Sequence, residues 1–201
     1  MPHRDMDQEL VSAARAGRAG KVSELLACGA NPRKKKSNAL RWAALYGHVE
    51  CVRLLLPTSD PMAEDSYALR GASQNGHAEC AKMLLTVSDA KAKDCHAIQL
   101  AARNAHADCV RMLLPVSSPL CEIGGFLEEV FESGHENVAA LLIEEEPKLL
   151  DGVDLSECLA AARKRGHHDL AAYVSSIMDQ KALVDVAPDA SACGGRRHAR
   201  L

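Results

Sequence analysis

The stretch ALRWAALYGHVECVRLLLP, residues 39–57, recurs with drift along the chain. It returns as ALRGASQNGHAECAKMLLT (68–86), as AIQLAARNAHADCVRMLLP (97–115) and, more loosely, as FLEEVFESGHENVAALLIE (126–144). Taking the glycine of each Gly-His pair as an anchor gives Gly17, Gly47, Gly76, Ala105, Gly134 and Gly166, spaced 30, 29, 29, 29 and 32 residues apart. Periods of this length mark arrays of small supersecondary units. Six copies of one unit fill nearly the whole chain.

Aligned on the anchors, each column has a physical reading. Seven places before the anchor stand Leu10, Leu40, Leu69, Ile98, Leu127 and Leu159, and four before it Ala13, Ala43, Ala72, Ala101, Val130 and Ala162. Apolar residues three or four apart mark one face of a helix. Ten places before it, Asp7, Ser37, Ser66 and Ser156 are residue types that cap helix N-termini, and Asp94 can serve for Cys95. The anchor glycine then stops this helix in a left-handed cap. After the anchor an acid suits a helix first turn, as at Glu50, Glu79 and Asp108. A second apolar series follows in Val52, Leu55 and Leu56, repeated in the neighbouring units, and Pro57 and Pro115 end two of these helices. No strand alternation appears. The unit is helix, tight turn, helix, connector.

Two short amphipathic helices cannot bury their apolar faces alone, so the units must stack. This pattern resembles the ankyrin repeat family, on the residues AALYGHVECVRLLL (43–56) and LLACGANP (25–32). The resemblance covers about residues 7–177. The family's Thr-Pro-Leu-His opening is replaced by Asn38-Ala39-Leu40-Arg41 and its counterparts at 67–70 and 96–99. The 29-residue period also falls short of the usual ~33. Both helices keep their length, so shortened fingers are expected in the middle connectors. The expected fold is therefore all-α, a helical-repeat solenoid of about six helix-turn-helix units with short connectors. Residues 1–6 are read as an N-terminal extension, 7–183 as the array, and 184–201 as a disordered tail with Cys193 a free thiol.

With 3% aromatic and 47% hydrophobic residues, the composition suits a solenoid packed with Ala and Leu better than an enzyme with a deep core. The opening MPHRDMDQEL has no apolar stretch of a secretory signal, and no apolar run approaches a membrane span. A soluble, cytoplasmic protein is expected, with nuclear residence or delivery into a host cell left open. Cys51, Cys80 and Cys109 share one column, one repeat apart, so they stand too far apart for a disulfide or a shared zinc ion. The eight cysteines read as reduced, small apolar residues. His48, His77, His106, His135 and His167 form another column, placed to bond backbone at the turns. No metal, cofactor or membrane is expected, and the protein is read as a monomer. His167, His168 and Asp169 are the one cluster resembling catalytic chemistry, and they lack a nucleophile at a recognisable spacing.

Charge is lopsided. Up to Leu56 ten basic residues face five acids, whereas from Ser117 to Glu157 eleven acids face Lys148 alone. The basic run Arg33-Lys34-Lys35-Lys36 lies in the first connector. It offers a reading as a nucleic-acid or anionic-surface binder through the basic end. The net charge of −3 and the absence of interleaved aromatics oppose that reading.

Three columns on the first helix escape the repeat's discipline: those five, two and one places before the anchor. They lie at i, i+3 and i+4 and so share one face. The resemblance implies that this face lines the concave surface that takes protein partners. The second unit puts Trp42, Leu45 and Tyr46 there, with Arg41 adjoining and Gly71 of the next unit leaving space beside Trp42. Gln74, Asn75, Leu100, Arg103 and Asn104 continue the face. The sequence therefore points to a non-catalytic scaffold that binds a protein through these ten residues.

Overall fold

In the computed structural model, residues 6–117, 123–145, 147 and 153–186 are described. They form two compact units that divide between Val153 and Asp154. In the first unit helices pair in the order α1 (Met6–Arg15) with α2 (Ala19–Ala27), α3 (Lys34–Leu45) with α4 (Val49–Leu55), and α5 (Ala63–Gln74) with α6 (Ala78–Leu85). They continue with α7 (Ala92–Arg103) and α8 (Ala107–Ser117), then α9 (Ile123–Ser133) and α10 (Glu136–Glu145). First helices pack on first helices, α1 on α3 on α5 on α7 on α9, and second helices form a parallel row behind them. The second unit holds α11 (Leu155–Arg165) packed on α12 (His168–Val186). There are no strands among the described residues. The architecture is the helical-repeat solenoid that the periodicity predicts. Residues 187–201, where most of the expected tail falls, lie outside the described residues, as do residues 1–5.

The repeat columns are the core. Leu10, Leu40, Leu69, Ile98 and Leu127 are fully buried, and Ala43, Ala72, Ala101 and Val130 lie one turn further along, equally inaccessible. Each buried aliphatic side chain contributes roughly 1.5–3 kcal/mol through removal from water. Of the Leu-Leu pairs on the second helices, Leu55 and Leu84 are buried while Leu56 and Leu85 are half-buried. In α11 the buried stripe runs through Leu155, Cys158 and Ala162, and Leu159 is only half-buried. Pro115 does not end its helix: it sits inside α8, which runs on to Ser117.

Every anchor closes its helix with the same paired bonds. His48 N–H donates to Ala43 O at 2.9 Å and Gly47 N–H to Ala44 O at 3.2 Å, with Gly47 at φ 72°. This is a Schellman cap, which satisfies two carbonyls that a helix end leaves orphaned. The other five anchors repeat it, including Ala105, a residue with a Cβ held at φ 61°.

The histidine column ties these caps together across units. His48 Nε2 lies 3.0 Å from Arg15 O, His106 Nε2 3.1 Å from Gln74 O and His135 Nε2 2.9 Å from Arg103 O. His77 bonds Leu45 in the same way. Each ring therefore donates to a terminal carbonyl of the preceding unit's first helix. The rings of His48, His77 and His106 also lie where a Cβ on the preceding anchor would stand. A methyl group on Gly47 would meet the His77 ring at 2.5 Å, and one on Gly17 would meet His48 at 2.7 Å. Glycine is required here twice, by its left-handed φ and by this close approach.

The connectors differ from the expected N-caps. Lys35, Lys36 and Ser37 all lie in the left-handed region (φ 51°, 59° and 57°), as do Glu64, Asp65 and Ser66 (φ 55°, 55° and 57°). Lys93 and Cys95 do likewise. Thus α3, α5 and α7 each open with a turn of the opposite hand. Ser37 and Ser66 do not cap their own helices. They are buried, and their hydroxyls accept from the next connector, Asp60 N–H at 2.7 Å and Asp89 N–H at 2.9 Å. Asp7 plays the same part for Asn31 N–H. Asn31, Asp60 and Asp89 in turn accept from the backbone N–H two residues on, forming Asx turns. The shortened finger is an Asx turn followed by one left-handed turn. Only in α11 does an expected kind of cap appear: Asp154, not Ser156, accepts from the N–H groups of Ser156 and Glu157.

Two expectations follow. Gly47→Ala combines a left-handed alanine with the loss of the His77 clasp, and should cost roughly 2–3 kcal/mol in urea unfolding. Ala105→Gly removes only the strain and should stabilise by about 1 kcal/mol; equal effects of the two changes would refute this account. Burial lowers the pKa of His77, outweighing the opposite pull of the Leu45 carbonyl, and it lowers that of His96. The fold thus holds neutral rings, so their stabilisation is present above about pH 6.5 and is lost as pH falls below that value. The unfolding midpoint should drop between about pH 7.5 and 5.5. It should drop less in a His77→Gln/His96→Gln variant.

Candidate functional site

The first-helix face is built from pairs that cross between units. The residue two places before one anchor meets the residue five places before the next. Arg15 carries its guanidinium carbon 4.9 Å from the Trp42 ring centroid. Leu45 fills the space over Gly71, where an added Cβ would meet Leu45 Cδ1 at 3.1 Å. Arg103 Nε donates to Glu129 Oε2 at 2.7 Å. One register therefore produces a cation–π contact, an aliphatic contact on glycine and an ion pair.

Trp42 and Tyr46 lie one turn apart on α3, their rings stacked with centroids 5.7 Å apart and planes 13° from parallel. Arg15 lies over both, 5.8 Å from the Tyr46 centroid, and the His48 ring is 6.2 Å from that of Tyr46. Tyr46 is 43% exposed and Trp42 is half-buried. The expected space beside Trp42 over Gly71 is taken by Leu45. Arg41 does not join the stack either. It lies 4.2 Å from the Tyr67 ring centroid, and its Nε is buried without a hydrogen-bond partner. Arg70 also lies over the Tyr67 ring, at 5.3 Å. Buried Arg70 donates to Glu64 O and Asp65 O, which holds the left-handed turn.

The remaining face residues do local work as well. Asn75 and Asn104 donate from their side-chain amides to Gly71 O and Leu100 O, finishing α5 and α7, and both stay exposed. The carbonyls of Gln74 and Arg103 receive histidines of the following unit, while their side chains are exposed. Arg15, Tyr67 and Arg70 were not among the ten candidates. Arg15 stands in the same column as Leu45, and a pairing rule about 26 residues apart would have exposed it, but that rule needs the packing register between units.

The basic run is already engaged. Arg33 Nε donates to Thr58 O, Lys34 pairs with Asp7 at 2.8 Å, and Lys36 pairs with Glu64. Lys93 pairs with Asp65 in the next step of the same ladder. These pairs sit at the surface and contribute little stability, but they lower the positive field of the connector. His168 and Asp169 are exposed in the first turn of α12. Among the described residues no cluster of three or more His, Cys, Asp or Glu could hold a metal, and no helix is long and apolar enough to cross a membrane.

The cysteines split. Cys51, Cys80, Cys109 and Cys158 are free and buried, and Cys28 is free and exposed. Burial pushes the thiols of Cys80 and Cys109 up to about 11 and raises that of Cys51. Such thiols are poor nucleophiles at neutral pH. Cys95 departs from the all-reduced expectation: it is disulfide-bonded. Cys95 lies outside the column of Cys51, Cys80 and Cys109, so the one-repeat spacing of that column does not bear on it.

Residues 10–94 match the family model of ankyrin repeats, in three copies. The fold is similar to that in the crystal structure of the human ASB11 ankyrin repeat domain, with a TM-score of 0.68 and 22% identity over 83% of this chain and 82% of that one. No curated protein matches the chain. Residues 10–94 thus match ankyrin repeats, and repeats of this class are in general protein–protein interaction modules.

Thiol titration of native protein should find Cys28 reacting fast and the four buried thiols reacting only on unfolding. Without reductant, unfolded protein should fall two thiols short of the eight cysteines. A full count of eight would show that Cys95 is free.

Proposed function

We propose that the chain is a non-catalytic scaffold that binds a protein partner on its first-helix face, the face that ankyrin-type arrays present as concave. Arg41, Trp42, Leu45, Tyr46, Gly71, Gln74, Asn75, Leu100, Arg103 and Asn104 are the proposed contact residues. The observation that carries this reading is the Trp42–Tyr46 stack. Two large aromatic rings are packed against each other with Arg15 over them, Tyr46 exposed and Trp42 half-buried. Aromatic residues held rigid before binding lose little entropy when a partner covers them, and Trp, Tyr and Arg are the residue types enriched at binding hot spots. Gln74, Asn75, Arg103 and Asn104 extend the surface with exposed polar groups.

Affinity capture from cell lysate tests it, with the intact chain beside a Trp42→Ala/Tyr46→Ala variant at low and high salt. A protein retained by the former and lost by the latter is expected, and Trp42→Ala alone should weaken binding by about 2 kcal/mol or more. The helical circular dichroism of the variant should be unchanged. Retention of nucleic acid, indifferent to the aromatic substitutions and abolished by salt, would move the function to the basic end.

A further inference from the structure

The guanidinium groups of the chain are satisfied unevenly. Arg103 is paired with Glu129, and Arg70 is taken up by the carbonyls of Glu64 and Asp65. Arg15 and Arg18 are exposed and have no carboxylate or carbonyl partner for their guanidinium groups among the described residues. Arg41 leaves its buried Nε unmatched. All three belong to the first two units, and of them Arg15 lies over the aromatic stack.

Arg15 is the informative one. Its guanidinium lies over both the Trp42 and Tyr46 rings, which fixes its position before anything binds. A guanidinium held over an aromatic face still has N–H groups for a planar, two-oxygen acceptor, and being held lowers the entropy lost per bond formed. Beside it, a cleft of about 380 Å³ is lined by Glu9, Ser12, Ala13, Ala16, Arg18 and Lys21. Glu9, the one acid lining it, lies 3.8 Å from Lys21, which also pairs with Glu24 at 3.0 Å, and Arg18 takes no part in these ion pairs. An exposed arginine without a carboxylate partner, held over exposed Tyr46 and half-buried Trp42, is complementary to an acidic segment with an apolar residue next to its carboxylate.

We propose that Arg15, pinned over Trp42 and Tyr46, seats the carboxylate of an Asp or Glu in an acidic peptide segment of the protein partner. A neighbouring apolar side chain of that segment lies on the aromatic stack. This rests on the reading of the first-helix face as the partner-binding surface. A nucleic acid fits less well. It needs a track of phosphate contacts, and Lys34 and Lys36 of the basic run are already held by Asp7 and Glu64.

The test is selection of a random dodecapeptide phage library on the intact chain, followed by titration of the selected peptides. Trp42 is the only tryptophan, so its emission reports this site directly. Selected peptides should carry Asp or Glu next to an aromatic or aliphatic residue, and should shift the Trp42 emission. Changing that acid to its amide, or Arg15→Gln in the protein, should each weaken binding tenfold or more, with little further loss when combined. Arg15→Lys should restore only part, and an unchanged unfolding midpoint for both variants excludes misfolding as the cause. Selection of neutral or basic peptides, no selection at all, or acidic peptides indifferent to Arg15→Gln would overturn the proposal. Salt-sensitive self-association abolished by Arg15→Gln would put the carboxylate on a second copy of the chain and overturn it too. A lysate partner lost with Trp42→Ala/Tyr46→Ala but kept with Arg15→Gln would sink this inference and leave the scaffold reading standing.

Discussion

Within the first compact unit the stack depends on one contact: the ring of His48, His77, His106 or His135 resting on the left-handed cap of the repeat before. The cap must be left-handed for the first helix to stop and the chain to reverse. Its Gly must lack a side chain for the ring to come within van der Waals reach, as His77 does over Gly47. The ring then donates to a carbonyl that the helix end would otherwise leave unmet, Arg15 O for His48 and Gln74 O for His106. One interaction ends a helix, satisfies its last turn and sets the distance to the next unit. Ala105 shows how much of this can be relaxed. His135 still reaches Arg103 O there, at 2.9 Å, although a methyl group stands in the clasp.

The connectors solve a different problem with unusual means. A 29-residue period leaves too little chain for a projecting finger, and the chain reverses through an Asx turn and a single left-handed turn. Each non-glycine residue of left-handed conformation costs roughly 1–2 kcal/mol, so such a turn persists only when its surroundings hold it. Ser66 bonds the next connector through Asp89 N–H, Arg70 caps the carbonyls of Glu64 and Asp65, and Lys36 and Lys93 pair across to neighbouring turns. The turn at 64–66 is therefore stabilised mainly by residues outside it. That is why these serines are buried rather than exposed at helix starts.

The helices, the anchors and the core leucines were legible in the sequence because each is a local rule: a 3.6-residue period, a Gly after a helix, an apolar column. The role of Ser37 was not, because capping its own helix and bonding Asp60 of the next connector place the same residue type at the same position. Pro115 misled for the complementary reason: proline is read as a helix end, yet in the last turn of α8 little remains to be broken. Of the candidate face, the column that varies between repeats was visible, and so were Trp42 and Tyr46. Arg15 over the rings, Leu45 rather than Trp42 over Gly71, and Arg41 over Tyr67 were hidden. They depend on how far one unit is advanced against the next, and no single unit encodes that offset.

This division of labour explains how a binding face can differ from unit to unit on a framework that does not. The contacts of the face are half-exposed: a cation–π pair at Arg15 and Trp42, an ion pair at Arg103 and Glu129. Contacts of these kinds contribute roughly 0–1 kcal/mol at a surface. Truncating a fully buried leucine such as Leu40 or Leu69 costs about 2–5 kcal/mol, several times more. The −5 and −2 columns can therefore hold Trp42 and Leu45 in one unit and Gly71 and Gln74 in the next without threatening the fold. The His–Gly column varies far less, with Ala105 and Arg18 its departures, because steric room, helix termination and a hydrogen bond all meet at one backbone position. A surface whose own contacts are weak, carried on a frame whose contacts are strong, leaves its arginines and aromatic rings open to interactions with something other than the chain itself.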